Sequence, residues 1–148
     1  MEKTTIKNIR AFNRYYTNLI GVLVQGYLET QYTLTEARIL FEISPIGKID
    51  TSEIIDALLI DKSYLSRVLK KFEKNKLITK SKSEKDSRAW EIFLTEKGII
   101  ELNMLNTLAD KQLEELLKDL SPMDIKHLSL HMNSIINILD KKSIDQNK

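Results

Sequence analysis

The chain has 148 residues, 42% hydrophobic and 30% charged, with four glycines, two prolines and no cysteine. That length buries a core without metal or disulfide staples, and the balance is that of a soluble, helix-rich protein. The absence of cysteine excludes disulfides, thiolate metal sites, cysteine nucleophiles and thiol redox sensing. The net charge of +2 is unevenly spread. Residues 61–90 hold ten basic against four acidic side chains, a local +6 that leaves −4 for the rest. A basic middle on an acidic body suits a polyanion reader, whereas a lysine-rich solvated face is the plain alternative.

Apolar groups at Ile6, Ile9, Phe12, Tyr16, Leu19, Ile20, Leu23 and Tyr27 recur every three or four residues and predict a long first helix over 6–28. Its longest apolar stretch, 19–24, is far short of a membrane span, so a cytoplasmic protein with no membrane contact is expected. Thr35 is the expected cap of a short second helix, ended by Ser44, Pro45, Ile46 and Gly47. Asp50 and Glu53 have capping-box spacing and start a third helix to about Leu59, with Ile54, Ile55, Leu58 and Leu59 as its buried face.

Asp61 is the cap of a fourth helix with Leu65, Val68, Leu69 and Phe72 inside and a basic, hydroxyl-rich outer face. Two short helices joined by a tight turn, the second apolar within and basic without, form the helix-turn-helix that seats a recognition helix in a major groove. Residues 77–81 and 90–94 then read as strands around a polar tip, with Trp90, Ile92 and Leu94 on one face, a β-wing. Thr95 caps a helix over about 96–118, and Ser121, Pro122 and Asp124 start a last helix carrying Ile125, Leu128, Met132, Ile135, Ile136 and Leu139. The fold class expected is mainly α with a small β-wing: residues 1–34 a dimerisation helix, 35–95 a winged helix-turn-helix, 96–141 C-terminal dimerisation helices and 142–148 a tail.

This order of elements resembles the MarR family of multiple-antibiotic-resistance-type regulators over nearly the whole chain. The residues that carry the resemblance are the run from Asp61 through Arg67 to Glu73, and the wing signature Asp86, Ser87, Arg88 followed by Leu94, Thr95, Glu96, Lys97 and Gly98. The resemblance implies a homodimer with interlocked terminal helices and two recognition helices in successive major grooves of double-stranded DNA. It further implies that Arg88 enters the minor groove while Asp86 holds the wing in shape. The family commonly has glycine where Lys76 precedes Leu77 and Ile78, and Asn75 is expected to supply the left-handed cap instead.

The DNA-binding candidates are Lys62, Ser63, Tyr64, Ser66, Arg67, Lys70 and Lys71 on the fourth helix and Lys82, Lys85, Asp86 and Arg88 on the wing, with Lys80 a further phosphate candidate. Arg67 has the fork for guanine; lysines suit phosphates; the plain alternative is a solvated surface. Arg14, Tyr15, Tyr16, Tyr27 and Tyr32 are candidates for a small aromatic effector's pocket, against the commoner use of such aromatics in core or dimer interface. His127 and His131 have zinc-ligand spacing but no third ligand by spacing, so surface or interface histidines are expected and no metal or cofactor. No nucleophile–base set or phosphate loop is present, which argues against an enzyme. The function expected is a ligand-responsive, sequence-specific repressor acting on a pseudo-palindromic operator; the alternative is a winged-helix protein-interaction module that reads no sequence.

Overall fold

The computed structural model describes residues 2–20, 27–43, 47–83 and 90–145. Two units are distinguished, Met1–Leu108 and Ala109–Lys148. The first contains α1 (Lys3–Leu19), a single 3-10 turn (Tyr27–Glu29), α2 (Leu34–Glu42), β1 (Ile49–Asp50), α3 (Thr51–Leu58), α4 (Lys62–Lys74), β2 (Ile78–Lys82), β3 (Trp90–Leu94) and the start of α5 (Glu96–Leu117). The second contains the end of α5 and α6 (Pro122–Asp145). The first helix is capped at Ile20, well short of the span expected from periodicity.

The second helix starts two residues earlier than expected, because Thr33 and not Thr35 is its cap. The Thr33 hydroxyl accepts the Glu36 amide at 3.2 Å, and the Glu36 carboxylate accepts the Thr33 amide at 3.0 Å. A glutamate three residues on is what completes such a box; Thr35 has Arg38 there. In α3 the Glu53 carboxylate likewise accepts the Asp50 amide, at 3.1 Å. The expected burial of Leu59 is not found: it takes a left-handed conformation (φ 51°) in the turn before α4 and is 91% exposed. The turn reverses the chain there, which rotates Leu59 off the face that buries Ile54 and half-buries Leu58.

The three strands form an antiparallel sheet in the order β1-β3-β2, so β1 adds a strand to the two expected. Ile78 pairs with Leu94, Lys80 with Ile92 and Lys82 with Trp90. One sheet face therefore runs from core to solvent along its length. Ile78 and Ile92 are buried and Leu94 packs on the core, whereas Trp90 at the far end is 40% exposed. The opposite face buries Glu91, whose carboxylate meets the Lys48 ammonium at 2.6 Å. The core itself joins Ala37, Ile39 and Leu40 of α2, Ile54 of α3, Leu65, Val68, Leu69 and Phe72 of α4, and Leu102 and Leu105 of α5.

The junction between α4, the wing and α5 is built from backbone hydrogen bonds. The Leu77 amide donates to Phe72 O and the Lys76 amide to Glu73 O, both at 2.9 Å, the paired bonds of a Schellman turn. Its left-handed residue is Lys76 (φ 59°), not Asn75, which stays at φ −83°. The Thr95 amide donates to Leu77 O at 2.9 Å and its hydroxyl donates to Lys76 O at 2.7 Å, while accepting the Gly98 amide at 3.0 Å as cap of α5. Gly98 lies so close to the residue before β2 that a Cβ would sit 2.0 Å from Leu77 O.

Two substitutions test this junction in opposite directions. Lys76→Gly is expected to raise unfolding stability by about 1 kcal/mol, because glycine adopts the left-handed conformation without the Cβ clash. Gly98→Ala is expected to lower it by about 1–3 kcal/mol through overpacking, despite the better helix propensity of alanine. Urea melts of the two variants check both signs; a stabilised Gly98→Ala would refute the packing.

Candidate nucleic-acid interface

Helix α4 is positioned from both ends. At its start the Asp61 carboxylate accepts the Ser63 amide at 2.8 Å and the Tyr64 amide at 3.0 Å. The Tyr64 and then the Ser63 amide bonds hold that carboxyl below the usual carboxylate range. At its end the Schellman turn and Phe72, fully buried, fix the helix to the sheet and to Tyr32, whose ring meets Phe72 edge-on at 6.2 Å.

With Leu65, Val68, Leu69 and Phe72 inward, Lys62, Ser63, Ser66, Arg67 and Lys70 are all exposed on the opposite side. They sit at helical spacings of three and four and make one contiguous outward surface. Two of the expected contacts are placed differently. Tyr64 is half-buried against the core, with the Arg67 guanidinium 5.7 Å from its ring centre, so it steadies Arg67. Lys71 lies on the same flank two turns later and is held by the buried Glu36 carboxylate at 2.8 Å, which ties α4 to α2. Glu36 thus serves both as box partner of Thr33 and as counter-ion of Lys71, and the sequence reading, with Thr35 as cap, anticipated neither role.

On the wing, Lys82 is exposed, while Lys80 forms an ion pair with Glu73 at 2.7 Å. The tip residues Lys85, Asp86 and Arg88 lie outside the described residues. Between α3, α4 and the wing is a cleft of about 270 Å³, lined by Thr51, Ile55, Leu65 and Leu69 below and by Lys62, Ser66, Lys80 and Trp90 at its walls. Trp90, unremarkable in the sequence beyond its strand position, is the side chain this site brings in that spacing arguments missed.

The described residues expected to line an effector pocket have different surroundings. Tyr15 is 66% exposed, Arg14 is exposed, and Tyr16 stacks on Phe12 along α1 with ring centres 5.6 Å apart. The side chain of Tyr27 lies outside the described residues. Tyr32 is 1% exposed in the core, and its hydroxyl donates to Glu101 Oε2 of α5 at 3.0 Å. Tyr32 is therefore a core residue, because its ring is needed against Phe72 and its only polar atom is already bonded. His127 and His131 are exposed on α6 with ring centres 6.5 Å apart, and among the described residues no group of three potential ligands could hold a metal. Among the described residues no helix is long and apolar enough to cross a membrane.

A capped outward helix, a turn before it and a β-wing beside it define a winged helix-turn-helix, a DNA-binding class of fold. Residues 32–90 match the model of the MarR family. The chain is 28% identical over 132 residues to the HTH-type transcriptional regulator MgrA of Staphylococcus aureus, covering 89% of this chain and 84% of that one. Among solved structures, BpsR of Bordetella bronchiseptica, described in terms of regulation of its DNA binding by 6-hydroxynicotinic acid, is matched at a TM-score of 0.68 and 16% identity over 87% of this chain and 98% of that chain. A mutant MarR from E. coli complexed with operator DNA is matched at 0.65 and 19% identity over 90% and 94%. The chain thus carries a MarR-family domain over residues 32–90 and is similar to MarR-family transcription regulators over most of its length.

The Tyr32–Glu101 contact has a measurable signature. Burial first, and the bond to Glu101 second, push the Tyr32 phenol from 10.0 up to about 12. A raised pKa of this kind favours the neutral form in the folded state, so its stabilisation is full below pH 10.0 and is lost as pH rises through about 12. Tyrosinate absorbance is expected to show one late-titrating group that disappears in Tyr32→Phe, with a stability cost of about 1 kcal/mol for the lost bond. An unchanged titration would refute the assignment.

Proposed function

We propose that the protein is a sequence-specific transcription regulator that binds a pseudo-palindromic operator as a homodimer. The observation that carries this reading is the outward surface of α4, where Lys62, Ser63, Ser66, Arg67 and Lys70 stand exposed opposite a fully packed inner face. Arg67 is the residue with the geometry for guanine, already ordered over Tyr64; Lys62, Lys70 and Lys82 neutralise phosphates. From the family resemblance alone, Arg88 is assigned to the minor groove and Asp86 to shaping the wing; both lie outside the described residues. The regulator acts as a repressor that an effector releases, a reading supported by the regulation described for BpsR rather than by a pocket in this chain.

Dimerisation is supported by the apolar groups left exposed on the terminal helices. Ile6, Ile9, Phe12 and Leu19 of α1 are 40–53% exposed, and Leu130, Ile135, Ile136, Ile138 and Leu139 of α6 are 42–64% exposed. Apolar surface on that scale marks an association face. A two-fold dimer would set the two reading helices roughly 34 Å apart, one turn of DNA.

A gel shift or anisotropy titration with the upstream region of the protein's own gene is expected to show binding that weakens steeply with salt, as counterions are released. Arg67→Ala is expected to cost about 1–3 kcal/mol and to relax preference at one base pair, with Lys70→Ala instead lowering the salt slope by about 1. Absent or salt-insensitive binding would favour the protein-interaction alternative. For the dimer, light scattering of Ile136→Glu combined with Leu139→Glu is expected to report single chains; retention of two-chain mass would remove α6 from the interface.

A further inference from the structure

Trp90 is the single tryptophan of the chain and stands 40% exposed where the wing opens. The strand pairing explains why it is not core. Ile78, Ile92 and Leu94 on the same sheet face reach the interior, and the face runs out into solvent by the rung where Trp90 meets Lys82. The amide of Trp90 donates to Thr51 Oγ1 at 3.3 Å, which anchors the base of the side chain to α3.

Its surroundings are cationic. The Lys80 and Lys82 ammoniums lie 5.5 and 5.9 Å from its ring centre, within reach of the negative face of the indole. Across the cleft stand Lys62 and Ser66 of α4. The Lys80 charge is shared with Glu73, whereas Lys82 has no carboxylate within ion-pair distance among the described residues. An indole joins a flat apolar face to one N–H donor, which suits an occupant that is apolar on one side and anionic on the other. The deoxyribose and phosphate of a DNA strand have that composition, and three lysines around the cleft supply the complementary charge.

We propose that Trp90 is a DNA-contacting residue. Its ring packs on a deoxyribose of the strand passing from α4 to the wing, its Nε1–H donates to a phosphate oxygen, and Lys80 and Lys82 flank that phosphate. The contact is to backbone and sugar, so it adds affinity on any sequence and sets the register in which Arg67 meets its base. This inference rests on the DNA-binding reading above.

The test uses the full chain and Trp90 as its own reporter. Wild-type protein is titrated with the operator-bearing duplex and with a scrambled duplex, following anisotropy of labelled DNA, tryptophan emission and acrylamide quenching together. Emission is expected to change in step with binding to both duplexes and quenching to fall. Trp90→Ala is expected to lose about tenfold in affinity for both duplexes, with the salt slope unchanged because no charge is removed, while Trp90→Phe retains most of the affinity. A purely structural role would instead lower the melting temperature without protecting the wild-type indole on DNA. Binding with unaltered emission and quenching, or a Trp90→Ala affinity within twofold of wild type, overturns this inference alone. Failure of the wild type to bind either duplex overturns the DNA-binding reading as well.

Discussion

The placement of α4 depends on the joint at Lys76, Leu77 and Thr95. Three elements meet there through main-chain groups: the end of α4 through the Leu77 and Lys76 amides, the first wing strand through Leu77 O, and the start of α5 through the Thr95 amide and hydroxyl. Each polar group satisfied at this joint would be costly to leave unpaired beside the core. Lys97 adds a bond to Asn75 O at 3.0 Å, so the terminal carbonyls of α4 are met from α5. Close approach is possible because Gly98 has no Cβ to strike Leu77 O. The left-handed Lys76 stores a local backbone cost that the surrounding bonds hold in place.

A second set of contacts ties the same helix to α2 and to α5 from the other side. Glu36 caps its own helix through Thr33 and neutralises Lys71, and Tyr32 spans from Phe72 to Glu101. These pairings change the electrostatics of the surface. Formal charge assigns +6 to residues 61–90, but Lys71 is engaged by Glu36 and Lys80 by Glu73. Among the described residues of that window, Lys62, Arg67, Lys70, Lys74, Lys76 and Lys82 are exposed and outside these ion pairs. The Lys80 pair with Glu73 is already inside the +6, so only Glu36, from outside the window, offsets that charge, at Lys71.

The exposed apolar groups divide between single outliers and continuous faces. Leu59 in the turn and Trp90 on the wing are isolated, each accounted for by where the backbone reverses or the sheet face runs out. On α1 and α6 the exposed residues recur along the helix, the pattern of a face that another surface covers. Tyr15 of α1 belongs to this second group. Tyr32 is drawn inside, where its ring packs on Phe72.

Periodicity and capping signals in the amino-acid sequence determined most of the architecture: the number and order of helices, the inward residues of α4, its start at Asp61, the two wing strands and the caps at Asp50, Thr95 and Ser121. These are short-range properties, decided by side-chain spacing and by donors and acceptors within a few residues of one another. Where the local signal was ambiguous, a neighbour decided. Thr33 prevailed over Thr35 because Glu36 lies three residues on, and Lys76 prevailed over Asn75 because Leu77 and Thr95 fix the peptide groups on either side. Only the tertiary structure half-buried Tyr64 against the core, paired Lys71 with Glu36, sent Tyr32 into the core and set Trp90 beside two lysines at the mouth of a cleft. Each of those outcomes depends on groups far apart in the chain, such as Lys71 with Glu36 or Tyr32 with Glu101, and spacing along one element carries no information about what packs against it.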